Sequence, residues 1–278
     1  LSDAPEFYQG LPLIRSRKND RLRLVRALVT RRGRRQRQRF LVEGPKALSE
    51  VLEQRPDLLE QLLYRAAAPS LAVARVLEQA RAAGVSTYPV ESSVFDELAP
   101  SQTPQGVLAV AHLAYAPLDD VLGSGEEARA VVACLGVQDP GNLGTILRSA
   151  RFFACAGVVV LPGTQDPFSP KVVRSAAGTL LAQPPARAED LESLLRAATT
   201  AGFEPRALAA HGGEPLAKAG LPKRCLLLLG AEGQGLPADT DPLPALTIAT
   251  PVSEAESLNV GVAFAVAAHT WCAEWGGA

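Results

Sequence analysis

Short apolar runs separated by amphipathic stretches organise the second half of the chain. AVVACLGV (130–137), AGVVVLP (156–162), FEPRALAA (203–210), RCLLLLG (224–230) and ALTIAT (245–250) have the length of buried strands. Stretches near 143–155, 170–182, 189–201 and 257–273 carry helical patterning between or after them. Strands alternating with helices in this way predict a mostly parallel sheet covered on both faces. The first part alternates on a smaller scale. A helix near 20–30 precedes a strand at 39–44, a helix near 45–54, an apolar run at 59–65 and a helix over about 70–83. A strand at 85–90, a short helix and a strand at 106–113 complete a small α/β sandwich. Between the two parts, LAYAPLDDVLGSGEE (113–127) breaks the pattern with Pro, Gly, Ser and acids, which predicts a linker. The reading is therefore α/β in two domains, 1–112 and 128–278.

Composition narrows the class. Of 278 residues, 47% are apolar, enough for sizeable cores. No apolar run approaches the roughly 20 residues that span a bilayer, and the N-terminus lacks a basic-then-apolar signal. A soluble, cytoplasmic protein is expected. Cys134, Cys155, Cys225 and Cys272 are scattered in apolar settings, with no metal-ligand spacing to each other or to the three His residues. They read as buried free thiols, and no metal is expected.

Charge changes the picture more. The net charge of −1 conceals a basic block, RSRKNDRLRLVRALVTRRGRRQRQR (15–39), with twelve Lys or Arg against one acid. A solvated helix face mixes signs; this segment suits the phosphates of a nucleic acid. Its candidate contacts are Arg31, Arg32, Arg34, Arg35, Arg37 and Arg39. With no aromatic residue before Phe40, it reads as a phosphate-binding surface without base stacking.

In parallel sheets ligands bind outside the carboxyl ends of the strands, so the loops there hold the candidate chemistry. QDPGNLGTILRSARFF follows the strand at 130–137, with Asn142 placed as a helix N-cap and Arg148 inside the helix. GAEGQGLP follows the strand at 224–229 and sets three glycines around Glu232. It is neither a Walker loop nor G-x-G-x-x-G. The loop after 245–250 reaches Ser257, Leu258 and Asn259, at the threshold of a helix apolar nearly all round and so expected to be buried. Ser257 and Asn259 can cap that helix and still face a ligand. No Ser-His-Asp set, metal set or carboxylate pair occurs, so positioning of two bound partners fits better than side-chain catalysis.

At NLGTILRSA (142–150), LLGAEGQGL (228–236) and SLNVGVA (257–263), together with VVRSAAGTLL (172–181), the sequence resembles the SpoU (TrmH) family of RNA ribose 2′-O-methyltransferases in the SPOUT superfamily. More weakly, residues 19–48 resemble the L30e-like RNA-binding domain of several rRNA-modifying members. The resemblance implies an L30e-like α/β/α sandwich followed by a SPOUT domain with a C-terminal trefoil knot. It implies S-adenosyl-L-methionine as cofactor, RNA as substrate and a homodimer through the knotted domain. Asn142, Arg148, Glu232, Ser257 and Asn259 match the family's catalytic and RNA-contacting positions. Gly230, Thr250 and Leu258, with Gly233 and Val252 beside them, match its cofactor contacts. Thr250 and Val252 depart from the usual Ile and Met, and Gly261 replaces a common Ser with little consequence. The implied target is large-subunit (23S) rRNA; tRNA methylation, and a non-enzymatic RNA-binding or ribosome-assembly role on the same fold, are the alternatives. Family accounts make the arginine a proton acceptor; a guanidinium resists deprotonation, and holding a phosphate and stabilising developing alkoxide is the other role open to Arg148.

Overall fold

The computed structural model describes residues 12–67, 69–233, 235–237, 240, 243–248 and 258–276. They form two compact units, Leu1–Ala114 with Phe168–Ala182, and Tyr115–Pro167 with Gln183–Ala278.

The first unit runs α1 (Asp20–Leu28), α2 (Arg31–Arg37), β1 (Arg39–Glu43), α3 (Pro45–Gln54), β2 (Leu59–Arg65), α4 (Leu71–Ala82), β3 (Ser86–Val90), α5 (Ser92–Leu98) and β4 (Val107–His112). Its sheet has the order β1-β4-β2-β3, with β2 and β3 parallel and the other pairs antiparallel. Leu22, Val25 and Leu28 of α1 and Phe95 of α5 close over Leu41, Leu63 and Leu108 of the sheet. Helical and strand periods thus deliver apolar atoms to one core, as the sequence pattern predicts. The helix α2 is absent from that pattern because it has no apolar residue to set a period. Thr30 caps it, its side chain accepting from Gly33 N at 3.1 Å.

The second unit runs α6 (Leu118–Leu122), β5 (Arg129–Cys134), α7 (Pro140–Phe152) and β6 (Gly157–Val160). The chain then forms α8 (Pro170–Ser175) and α9 (Thr179–Ala182), which group with the first unit. It continues with β7 (Ala186–Arg187), α10 (Leu191–Thr200), β8 (Glu204–Leu208), β9 (Glu214–Pro215), α11 (Leu216–Ala219), β10 (Arg224–Leu229), β11 (Ala245–Thr247) and α12 (Val260–Trp275). The sheet order is β7-β6-β5-β10-β8-β11-β9, and every described pairing in it is parallel. Strand β10 is buried along its whole length, as a strand covered on both faces must be.

Three local expectations change. The 113–127 segment is no loose linker: α6 lies within it, and Val121 and Leu122 are buried in the second core. Their apolar pair was masked by the flanking turn residues. The helix expected over 170–182 breaks at Ala177 and Gly178, both at positive φ, into α8 and α9. Phe168, ahead of the break, is buried against Phe40 at a ring separation of 5.0 Å. The final helix is not buried all round: Val262 and Val266 are 47% and 39% exposed. An all-apolar helix has two faces to cover, and among the described residues one of them packs, against α7.

Cys134, Cys155 and Cys225 are buried free thiols, as expected; Cys272 is half-buried. Burial pushes the first three thiols up to about 12, so all are protonated and inert.

Candidate active site

Strands β5 and β10 are neighbours and parallel, with Cys134 opposite Leu229. Their carboxyl ends therefore open side by side, and the two following loops must meet. After β5, Leu135 N donates to Leu229 O at 2.8 Å and keeps the strands paired one residue further. Thr164, almost fully buried, ties this edge to the next strand. Its hydroxyl donates to Cys134 O at 2.7 Å and accepts from Gly136 N at 3.1 Å.

The helix α7 starts one turn earlier than the sequence suggested. Asp139, not Asn142, is its N-cap, accepting from Asn142 N at 2.9 Å, and Pro140 occupies the first helical position. The Asp-Pro pair carried that signal. The correction matters because it frees the Asn142 side chain. Its Nδ2 donates to Glu232 Oε1 at 2.8 Å, and its Oδ1 accepts from Asn259 Nδ2 at 2.8 Å. Asn259 is the N-cap of α12, its Oδ1 accepting from Gly261 N at 3.0 Å and Val262 N at 3.3 Å. The second carboxylate oxygen, Glu232 Oε2, accepts from Gln138 N at 3.2 Å.

This chain of bonds has one self-consistent direction. An ionised Glu232 only accepts, so it turns the Nδ2 of Asn142 towards itself. Asn142 then offers an oxygen to Asn259, whose own oxygen is already committed to the start of α12. Burial pushes the Glu232 carboxyl up, but the hydrogen bonds from Asn142 and nearby backbone N–H groups outweigh it and leave the group below its usual value. Glu232 is thus a fixed anion that orients two amides and is poorly suited to hold a proton near neutrality.

The Glu232 loop is shaped by its glycines. Ala231 and Gly235 exchange N–H···O bonds of 2.9 Å, closing the loop on itself. A Cβ on Gly230 would stand 2.2 Å from Gly235 O and 2.3 Å from its carbonyl carbon. Replacing Gly230 by Ala should therefore open this closure, lowering both the melting temperature and S-adenosylmethionine affinity by calorimetry; parental affinity would show that the closure has no part in binding. Gly261, expected to be of little consequence, is a second close approach. A Cβ there would meet Thr145 Cγ2 at 3.1 Å, so the small residue lets α12 settle on α7 and brings Asn259 to Asn142.

Arg148 does not join the hydrogen-bonded set. It is exposed on α7 and makes no hydrogen bond or ion pair with the described residues. Six residues beyond Asn142, it lies about 9 Å further along the helix axis. Leu258, 49% exposed, stands at the mouth of α12. Thr250, Val252 and Ser257, and the chain between them where the expected knot would thread, lie outside the described residues.

These features fit S-adenosylmethionine. Around Gly233 and Gly235, both at positive φ, the space beyond Cα is open, so backbone is accessible to a ligand. The described residues of this loop offer peptide groups and no cation, which suits a nucleoside bearing a sulfonium.

Residues 129–269 match the family model of the SpoU rRNA Methylase family, and residues 19–109 match that of the MRM3-like substrate binding domain. The chain is 30% identical to the 23S rRNA (guanosine(2553)-2′-O)-methyltransferase RlmP of Bacillus subtilis, over 91% of this chain and 96% of that protein. The AdoMet-bound rRNA methyltransferase of Sinorhizobium meliloti superposes with a TM-score of 0.82 at 28% identity, covering 95% of this chain and 98% of that one. The SpoU methyltransferase AviRb of Streptomyces viridochromogenes in complex with AdoMet gives 0.79 at 25% identity, covering 92% and 98%. An α/β fold with a parallel sheet, an Asn–Glu–Asn constellation at its carboxyl edge and a family match over residues 129–269 converge: the chain belongs to the SpoU rRNA methylase family.

Proposed function

We propose that this chain methylates the ribose 2′-hydroxyl of a nucleotide in 23S rRNA. That it is an S-adenosylmethionine-dependent RNA methyltransferase follows from its family; the target and the residue roles are the proposal. The observation that carries it is the directed Asn259–Asn142–Glu232 chain at the joined ends of β5 and β10.

S-adenosylmethionine supplies an electrophilic methyl on a cationic sulfur. Gly230, Gly233 and Leu258, with Thr250 and Val252, hold it through backbone and apolar contacts. Asn142 and Asn259, their amides turned by Glu232, each keep an N–H to present to ribose oxygens, and Ser257 adds a hydroxyl. Arg148 would keep its proton and pair with the adjacent phosphate. As the 2′-oxygen takes the methyl and the sulfonium leaves as a neutral thioether, the 2′-proton would pass to solvent water, and the guanidinium charge would offset the negative charge developing on that oxygen. Orientation supplies most of the acceleration, since no group here is tuned as a strong base.

RNA is gripped by the first domain, residues 1–112, joined through 113–127 to the methyltransferase domain, 128–278, of which Phe168–Ala182 groups with the first unit. Arg31, Arg32, Arg35 and Arg37 project from α2 into solvent and suit phosphates. Two of the six candidate arginines, Arg34 and Arg39, are engaged within the protein instead. Arg34 is buried, and its Nη1 donates to Leu28 O and Val29 O at 2.8 Å each, satisfying the end of α1. Arg39 is half-buried and paired with Glu60. A run of arginines in sequence cannot announce which one the local fold needs.

A homodimer fits the face of α12 left uncovered within one chain. Val262 and Val266 lie one helical turn apart on it, and Phe152 of α7 is 80% exposed. No helix of the described residues is long and apolar enough to cross a membrane; a 23S rRNA substrate would put the enzyme in the cytoplasm.

The test is incubation with unmodified 23S rRNA transcript, total tRNA and tritiated S-adenosylmethionine, mapping product by resistance to alkaline cleavage. Stoichiometric label at a single 23S nucleotide is expected. Label in tRNA alone would give the tRNA reading; cofactor binding absent at millimolar concentration would give the non-enzymatic one.

A further inference from the structure

The first unit contains a cavity of about 180 Å³ at the carboxyl end of β1. It is lined by the junction of β1 and α3, by the loop before β4, and by Arg174 of α8. Two cations, Lys46 and Arg174, border it, both exposed and neither in an ion pair with the described residues. The one carboxylate in the lining, Glu43, already accepts a hydrogen bond from the Ser101 hydroxyl. Thr103 and Gln105 add polar side chains. The first turn of α3 has Pro45 in place of one donor and no side-chain cap, which leaves the N–H groups of Lys46 and Ala47 at the cavity wall. Surplus positive charge and uncapped donors at the wall of a half-open cavity together suit an anion.

We propose that this cavity is a phosphate subsite for the RNA backbone, held by Lys46, Arg174 and Thr103, and separate from the arginines of α2. The proposal rests on the RNA-methyltransferase reading. Its place gives it a use. The arginines of α2 enter β1 at one end and the cavity lies at the other, five residues away. At about 3.4 Å per residue β1 itself spans about 17 Å. Two anchors so separated fix the direction of a strand of RNA as well as its affinity, which one basic cluster cannot do. It also gives Arg174 of the VVRSAAGTLL segment a role outside the methyl-transfer chemistry.

The test uses the full chain and filter binding of 23S rRNA transcript between about 50 and 200 mM salt. K46A/R174A should bind about tenfold more weakly at low salt, and its slope of log K against log salt should shrink by about 1. The loss should add to that of R31A/R32A/R35A, and K46R should keep the parental slope. S-adenosylmethionine affinity and the melting temperature should not move. An unchanged slope in K46A/R174A overturns the proposal, as does a parallel loss of cofactor affinity, which would make the pair structural. Calorimetric binding of inorganic phosphate with the RNA slope unaltered would make this a free-anion site and also overturn it. If the parental protein binds no 23S transcript, the functional reading fails and the proposal with it.

Discussion

Arg148→Lys should lower kcat/KM for methyl transfer at least about 100-fold, the scale of losing one stabilising donor from a transition state. The side chain has no other employment: it is exposed on α7 and has no hydrogen bond or ion pair with the described residues. Its removal therefore leaves packing intact, and the melting temperature should hold. Lysine keeps the charge but loses the planar fork that grips a phosphate or alkoxide from two directions. Because Arg148 stands about 9 Å along the helix from Asn142, the amide chain that shapes the cofactor edge is untouched. Calorimetry should give parental S-adenosylmethionine affinity. Single-turnover assays should place the loss in the chemical step. Parental turnover in the lysine variant would remove Arg148 from the mechanism, and lost cofactor binding would reassign it to the cofactor site.

Much of this was legible in the sequence for physical reasons. Parallel strands buried on both faces are continuously apolar, so β5, β6 and β10 announce themselves. The long amphipathic helices do so through their period. The three polar insertions at the strand ends stood out against that background, and Asn142, Glu232 and Asn259 do meet. What was hidden depends on local competition. Asp139 and Asn142 are both good caps, and only the Pro between them decides which one is used. In RRGRRQR no apolar residue marks the buried face, so α2 and the inward Arg34 were invisible. Short edge strands such as Ala186–Arg187 and Glu214–Pro215 are too brief to carry a pattern. Gly261 looked interchangeable because closeness of two helices leaves no periodic trace.

Glu232→Gln should slow methyl transfer about 10- to 100-fold, through the two amides it orients, the scale of about 1–3 kcal/mol for a hydrogen-bond donor left without its acceptor. A carboxylate satisfies Asn142 Nδ2 and Gln138 N with one oxygen each. Glutamine has one oxygen, so one donor must face an NH2. If the Asn142 amide turns over to escape this, its Nδ2 meets the Nδ2 of Asn259, and the conflict passes down the chain to the cap of α12. The defect should therefore appear in KM for RNA and in kcat together. Asn142→Ala combined with Glu232→Gln should cost less than the sum of the two singles, since each breaks the same bond. The pH dependence separates this role from proton transfer. The Glu232 carboxyl is held below its usual value of 4.5. A group depressed on folding stabilises above its unfolded pKa and loses that contribution as pH falls through the folded one. The advantage of the parent over the glutamine variant should thus be constant through neutral pH and shrink only in acid, below the ordinary carboxylate range. A general base of raised pKa would instead give a ratio that changes near neutrality, and that result would turn Glu232 from an orienting anion into the proton acceptor.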